Sequence, residues 1–211
     1  GEAHDHPHHR SMWAAHGDVN GVDFWHGAGR IEHDRVVAGD GQRIEGRWLD
    51  GQGRGLLRSQ VSFSAVDRGG VRTVTMQTML EPVDAPVVFG DTKEGTLAMR
   101  LAPQLRLTGA VATGTLANSL GVSGAGVWGQ GAQWIKVAGE VDGQHVELRF
   151  TCKASLDSKA DSVRWHARPY GLIAANPFGE RAFVGGAAPA KETRLELREE
   201  LEMELVVEMR E

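Results

Sequence analysis

The 211 residues contain one cysteine, Cys152, which excludes an intrachain disulfide and a multi-cysteine zinc site and leaves the compartment open between cytoplasm and periplasm. Long hydrophobic runs are missing as well. Gly, Asn or charge breaks every apolar stretch well short of the roughly 18 residues a spanning helix needs, so no membrane span is expected. Nor is there an excess of one charge. The 23 Lys and Arg are interspersed with 28 Asp and Glu, and a net −5 leaves no electrostatic footprint for nucleic acid. No internal repeat and no Pro- or Ser-rich linker divides the chain. With 41% apolar residues, it reads as one domain, 1–211, able to bury a sizeable core. The first residue is Gly1 and no basic segment followed by an apolar run opens the chain, from which we expect that an N-terminal part is missing.

What the chain has in quantity is glycine, 28 residues, and histidine, nine. Glycines scattered between short apolar runs supply the positive-φ positions of tight turns and suit a protein of many short strands. Segments 43–49, 56–66 and 71–80 are rich in Val, Thr, Phe and Leu and read as strands after an N-terminal loop. The last two flank Asp67-Arg68-Gly69-Gly70, a hairpin turn; 134–140 and 145–152 flank a second turn with Asp142-Gly143. Segments 87–90 and 96–101 add two strands around a polar loop. Residues 108–133, mostly Gly, Ala, Ser and Thr, read as an extended surface loop with little core. In 192–211, helix-favouring composition competes with apolar residues at Leu201, Met203, Leu205, Val207 and Met209. That period of two puts them on one face of a strand and decides the reading. The expected fold is all-β, an antiparallel β-sandwich of jelly-roll or supersandwich type with its site on long loops.

Three constellations carry possible chemistry. In the first, His4, Asp5, His6, His8, His9 and Arg10 are followed by His16, Asp18, Asn20, Asp23, Trp25 and His26, enough imidazole and carboxylate to converge on a cation, against the alternatives of a hydrogen-bonded polar site or plain surface. The second is Phe89-Gly90-Asp91-Thr92-Lys93-Glu94-Gly95. Glu94 there suits a general base tuned by Lys93 or Asp91, against the alternative of a solvated turn. The third runs from Trp165 to Leu172 and on through Asn176-Pro177-Phe178-Gly179. Extended backbone at 165–168 turns His166 and Arg168 to one face and Trp165 to the other, and Tyr170 follows as an aromatic surface for a sugar ring, against the alternative of a Tyr and Trp packing corner with a surface Arg. Trp13, Trp25, Trp48, Trp128 and Trp134 read as packing residues, and Cys152 as a small buried hydrophobe.

Taken in order, His6-Pro7-His8-His9-Arg10 with Gly17-Asp18-Val19-Asn20-Gly21-Val22-Asp23-Phe24-Trp25, then the segment from Phe89 to Gly95, then Trp165-His166-Ala167-Arg168-Pro169-Tyr170-Gly171-Leu172, resemble the bacterial family labelled "methane oxygenase PmoA" or PmoA-like. The label borrows from a helical membrane-bound copper subunit, which a strand-rich chain without spanning segments contradicts. Members of that family are longer at the N-terminus, and many are encoded beside sugar oxidoreductases and isomerases, so the resemblance implies carbohydrate metabolism and a truncated chain. Relatives also carry an Asp-His-Pro element where this sequence has Phe150-Thr151-Cys152-Lys153, so a histidine expected near position 152 is absent.

The leading expectation is an enzyme that isomerises, epimerises or eliminates a sugar or glycoside by proton transfer. His8, His9, Glu94 and His166 are its catalytic candidates, and Asp18, Asn20, Asp91, Lys93, Arg168, Tyr170 and Asn176 its substrate-binding ones. Two-carboxylate hydrolysis fits less well, because Asp91 and Glu94 are too close in sequence to flank a bond. The alternatives are a carbohydrate-binding sandwich without catalysis, and a metal-dependent oxygenase or hydrolase built on the N-terminal histidines. The sequence names no cofactor, and its expected partner is a small-molecule carbohydrate.

Overall fold

A computed structural model describes residues 6, 8–38, 42–155, 163–186 and 189–211. Its strands, in chain order, are β1 (Met12–His16), β2 (Arg30–Ala38), β3 (Gln42–Leu49), β4 (Gly55–Arg68), β5 (Val71–Pro82), β6 (Val87–Phe89), β7 (Gly95–Arg100), β8 (Thr115–Asn118), β9 (Trp134–Val141), β10 (Gln144–Ala154), β11 (Arg164–Arg168), β12 (Leu172–Asn176), β13 (Thr193–Leu195) and β14 (Leu201–Arg210). All named pairings are antiparallel. An eight-stranded sheet, β2-β3-β4-β5-β14-β10-β9-β8, faces a four-stranded sheet, β1-β7-β12-β11, and β13 pairs with β6 in a short ribbon. The molecule is an all-β sandwich.

Local chemistry sets the hairpins. Gly69 and Gly70 take φ of +59° and +76° between Arg68 and Val71, and Asp142 and Gly143 take +52° and +82° between Val141 and Gln144. Two consecutive left-handed residues match the right-handed twist of the flanking strands, which is why Gly and Asp occupy these positions. β14 fulfils the period-two reading. Leu201, Met203, Leu205 and Val207 are buried, and the strand is inserted between β5 and β10, with Leu205 opposite both Met76 and Cys152. The C-terminal strand thereby joins the β2–β5 meander to the β8–β10 meander.

Between the sheets, Leu97, Trp165, Ala167, Ile173 and Ala175 of the small sheet belong to one apolar cluster with Trp48, Leu57, Met76, Ile135, Phe150 and Leu205 of the large one. Each such large side chain removed from water contributes about 1.5–3 kcal/mol. Cys152 is half-buried against this cluster, and burial pushes its thiol up to about 12.

Three segments differ from the sequence expectation. The N-terminal stretch holds β1 and β2 rather than a loop, since Trp13 and Ala15 alternate with Met12 and Ala14 over too few residues to stand out among the histidines. Residues 108–133 contain β8 and a short helical turn, Gly124–Val127, and bury Leu116, Val127 and Ala132. Small side chains there reflect close packing: a Cβ on Gly114 would lie 2.2 Å from the Leu105 carbonyl oxygen. Finally, 192–211 is two strands, β13 and β14, separated by a turn.

Candidate active site

The site lies on the outer face of the small sheet. Pairing places Trp13 opposite Ala98, Ala98 opposite Ala174, and Ala174 opposite His166, so one row crosses all four strands with two alanines at its centre. The next row carries Arg100, Leu172 and Arg168. Alternation fixes this: Leu97, Ile173, Trp165 and Ala167 point into the core, so their neighbours Ala98, Ala174, His166 and Arg168 must point out. Small side chains occupy the middle of this row and large ones its flanks. A second apolar cluster, Ala15, Trp25, Ala98, Leu172 and Ala174 with Trp13 and Tyr170 against it, forms its floor and walls.

Three distant segments meet over this floor. The loop before β7 brings Glu94 to β11, where Glu94 Oε2 lies 3.5 Å from His166 Nδ1. His166 Nδ1 is also 2.8 Å from the Lys93 carbonyl oxygen. A carbonyl can only accept, so Nδ1 carries the proton and Nε2 keeps its lone pair. Burial lowers the His166 pKa, opposed by the Glu94 charge and the Lys93 carbonyl, and the ring is neutral near pH 7. Lys93 Nζ pairs with Glu94 Oε1.

The N-terminal segment supplies the opposite wall. His9 is 2% exposed, stacked on Trp13 at 5.1 Å, with Arg100 Nη1 3.4 Å from its Nδ1. A guanidinium can only donate, so Nδ1 of His9 accepts and Nε2 bears hydrogen. That Nε2 is buried with no partner among the described residues, and so is the indole Nε1 of Trp128, whose ring is 6.3 Å from His166. Burial pulls His9 down to about 3, assisted by His8, His6 and Arg100. His8 is exposed, its ring 4.3 Å from His9 and 5.5 Å from His26, and burial followed by the His26 and His6 charges lowers its pKa. Tyr170 stacks on His6 at 4.5 Å and lies 5.0 Å beneath the Arg100 guanidinium and 6.0 Å from that of Arg168.

The structure thus brings together His8, His9, Lys93, Glu94, His166, Arg168 and Tyr170. Four other sequence candidates anchor loops. Asp91 accepts the backbone N–H groups of Glu180, Arg181, Ala182 and Lys191, which hold its carboxyl below the usual range against the upward push of burial. Asn176 donates to the Thr92 carbonyl at 2.8 Å and accepts from the Phe178 and Gly179 N–H groups, fixing the Glu94 loop against the turn after β12. Asp18 accepts from Gly21 N–H within its own turn, and Asn20 accepts from Val88 N–H at 2.7 Å, tying that turn to β6. His16, from the metal-ligand constellation, faces the core, where Nε2 donates to the Gly90 carbonyl and the ring packs on Phe89 and Phe178.

Sequence reasoning passed over Arg100 and the wall-forming roles of Trp13 and Trp128. The signal for Arg100 is its place two residues beyond Ala98 in a strand whose Leu97 and Met99 face the core. His4 and Asp5 lie outside the described residues. Among the described residues no group of three or more His, Cys, Asp or Glu is arranged to hold a metal ion. No described helix is long and apolar enough to cross a membrane.

A family model described as a family of unknown function, DUF6807, matches residues 1–209. No curated protein matches the chain.

Proposed function

The chain belongs to the DUF6807 family, and we propose that the side-chain cluster on the outer face of its small sheet is an active site for proton transfer on a sugar or glycoside. The observation that carries this reading is the buried pairing of Glu94 with His166. A neutral imidazole with Nδ1–H held by the Lys93 carbonyl presents Nε2 as a base, and when Nε2 takes a proton the imidazolium meets the Glu94 carboxylate 3.5 Å away. Negative charge left on the ligand oxygen is met by the Arg168 guanidinium, while His9 Nε2–H and Trp128 Nε1–H, both buried and unpartnered, are donors without another use in the described structure. Proton removal next to a carbonyl, as in isomerisation, epimerisation or elimination, needs this combination of base and oxyanion donors.

A polyhydroxylated ligand is supported by the mixture of fixed donors with the neighbouring rings of Tyr170 and Trp13. The motif resemblance to the PmoA-like family, with its sugar-metabolism gene neighbours, supports the same ligand class. The test is proton NMR of a panel of sugars and glycosides incubated with the protein in heavy water. Deuterium should enter at the carbon whose proton His166 removes, and His166→Ala and Glu94→Gln should suppress that entry. Folded variants that exchange as fast as the wild type would overturn the assignment. Binding without exchange or product would leave a carbohydrate-binding sandwich, and stoichiometric iron, copper, manganese or zinc in untagged protein would turn the reading toward metal chemistry on the N-terminal histidines.

A further inference from the structure

β1 is an edge strand of the small sheet, and beyond it no strand of that sheet lies over the inner face of the large sheet among the described residues. Ile44, Val61 and Phe63 alternate inward with the buried Trp48 and Leu57, yet stay half-buried. They line a cavity of about 440 Å³ whose wall also includes β1 and Met76, and His8, Arg10, His26, Arg30 and His33 are its polar lining beside Ser59. Sites for small organic ligands are of this size and kind, mostly apolar with a few polar groups, about 300–1,000 Å³.

This crevice adjoins the site already described through shared walls. Trp13 and Trp25 line it, and the same two rings lie 5.1 and 5.7 Å from the ring of His9. His8 stands at the junction, lining the crevice with its ring 4.3 Å from His9. A free sugar would leave the apolar crevice filled with water. A wholly apolar ligand would leave the buried N–H groups of His9 and Trp128 without partners. One ligand satisfies both halves if it is polar at one end and apolar at the other.

We infer that the crevice beside β1 receives the apolar aglycone, aryl or polycyclic, of a glycoside whose sugar lies against His166 and Glu94. The inference rests on the proton-transfer reading for its sugar half only, and its test separates the two. Naphthol is the probe for the crevice alone, followed by tryptophan fluorescence and calorimetry. Matched methyl and naphthyl glycosides of several sugars then probe the joined site. Naphthol should bind and quench the indoles at the crevice, and naphthyl glycosides should bind at least about tenfold more tightly than their methyl counterparts. Val61→Trp and Ala14→Phe fill the crevice from opposite sheets and should each weaken naphthol by at least about tenfold, with unchanged circular dichroism and thermal melting showing that the fold persists. His166→Ala should leave naphthol binding as it is. Absence of naphthol binding, equal binding by both filled variants, or equal affinity for methyl and naphthyl glycosides would overturn the inference, and proton transfer measured by deuterium entry would stand. Retained naphthol and naphthyl-glycoside affinities without deuterium entry would keep the crevice assignment and remove catalysis alone.

Discussion

Glu94 Oε2 lies 3.5 Å from Nδ1 of His166, seventy-two positions later in the chain, and both side chains are largely shielded from water. The contact depends on the small sheet: β7 and β11 are separated by β12, and the loop entering β7 folds back over the β11 edge. Removing the base should cost more than removing the group that steadies its charge. We predict that His166→Ala lowers deuterium incorporation by about 10²–10⁴-fold. Glu94→Gln should have a smaller effect, because the Lys93 carbonyl still holds the ring. Equal rates in both variants, with folding verified, would count against the pair.

Two neutral histidines in opposite tautomers follow from the hydrogen-bond partners. His166 should carry hydrogen on Nδ1, donated to the Lys93 carbonyl, and His9 on Nε2, because Arg100 donates to its Nδ1. Long-range proton–nitrogen NMR at pH 7 distinguishes the two forms. His9, pulled down to about 3, should remain neutral through pH 5, whereas His9 protonation near pH 6.5 would refute the buried placement.

Much of the sandwich was legible because its signals are local. Gly69-Gly70 and Asp142-Gly143 announce their turns, and the alternation from Leu201 to Met209 survives in a strand buried on one face. β1 and β2 were not legible. A five-residue strand such as Met12–His16 offers little periodicity, and its identity as the edge that completes the small sheet is a property of tertiary pairing with β7. The same divide runs through the site. His166 and Arg168 were placed on one face from strand period alone. Asp91 and Asn176 have residue types that suit ligand binding equally well, and only their four and three hydrogen bonds, respectively, reveal them as loop anchors.

His16 links the core to pH. Burial lowers its pKa from 6.5 to about 4, so the unfolded chain takes up a proton in this range before the folded one does. The stabilisation is complete above pH 6.5 and is lost progressively as the pH falls toward 4, by about 3 kcal/mol. Urea unfolding between pH 7 and pH 4 should show this fall, and His16→Gln should flatten that part of the profile. An unchanged slope in the variant would assign the effect to other groups.

Asp91 serves folding of the 180–191 segment through four backbone N–H groups. Asp91→Ala leaves those donors without their shared carboxylate and should destabilise the protein by about 3 kcal/mol. Amide hydrogen exchange offers a local readout: Glu180, Arg181, Ala182 and Lys191 should lose protection before the β5–β14 pairing does. Uniform loss across the large sheet would mean that the segment is not held locally.

Gly17 provides a way to disturb the site without altering any of its chemical groups. Its N–H donates to the Glu94 carbonyl at 2.7 Å, and an added Cβ would stand 2.9 Å from the Glu94 Cβ and 3.2 Å from the Thr92 hydroxyl. Contacts that short force a neighbour to move, and the atom that must yield is the base of the Glu94 side chain. Gly17→Val, with its added branches, should therefore push Glu94 away from His166 and reduce deuterium entry by about tenfold or more, since catalytic geometry is sensitive to displacements of about 1 Å. Gly17→Ala should lie between the two. The large-sheet hairpins are remote from this change, so their amide protection should be unaltered. If Gly17→Val kept the full rate while remaining folded, the Glu94 position would not matter to the reaction, and the role given to that carboxylate would have to be abandoned.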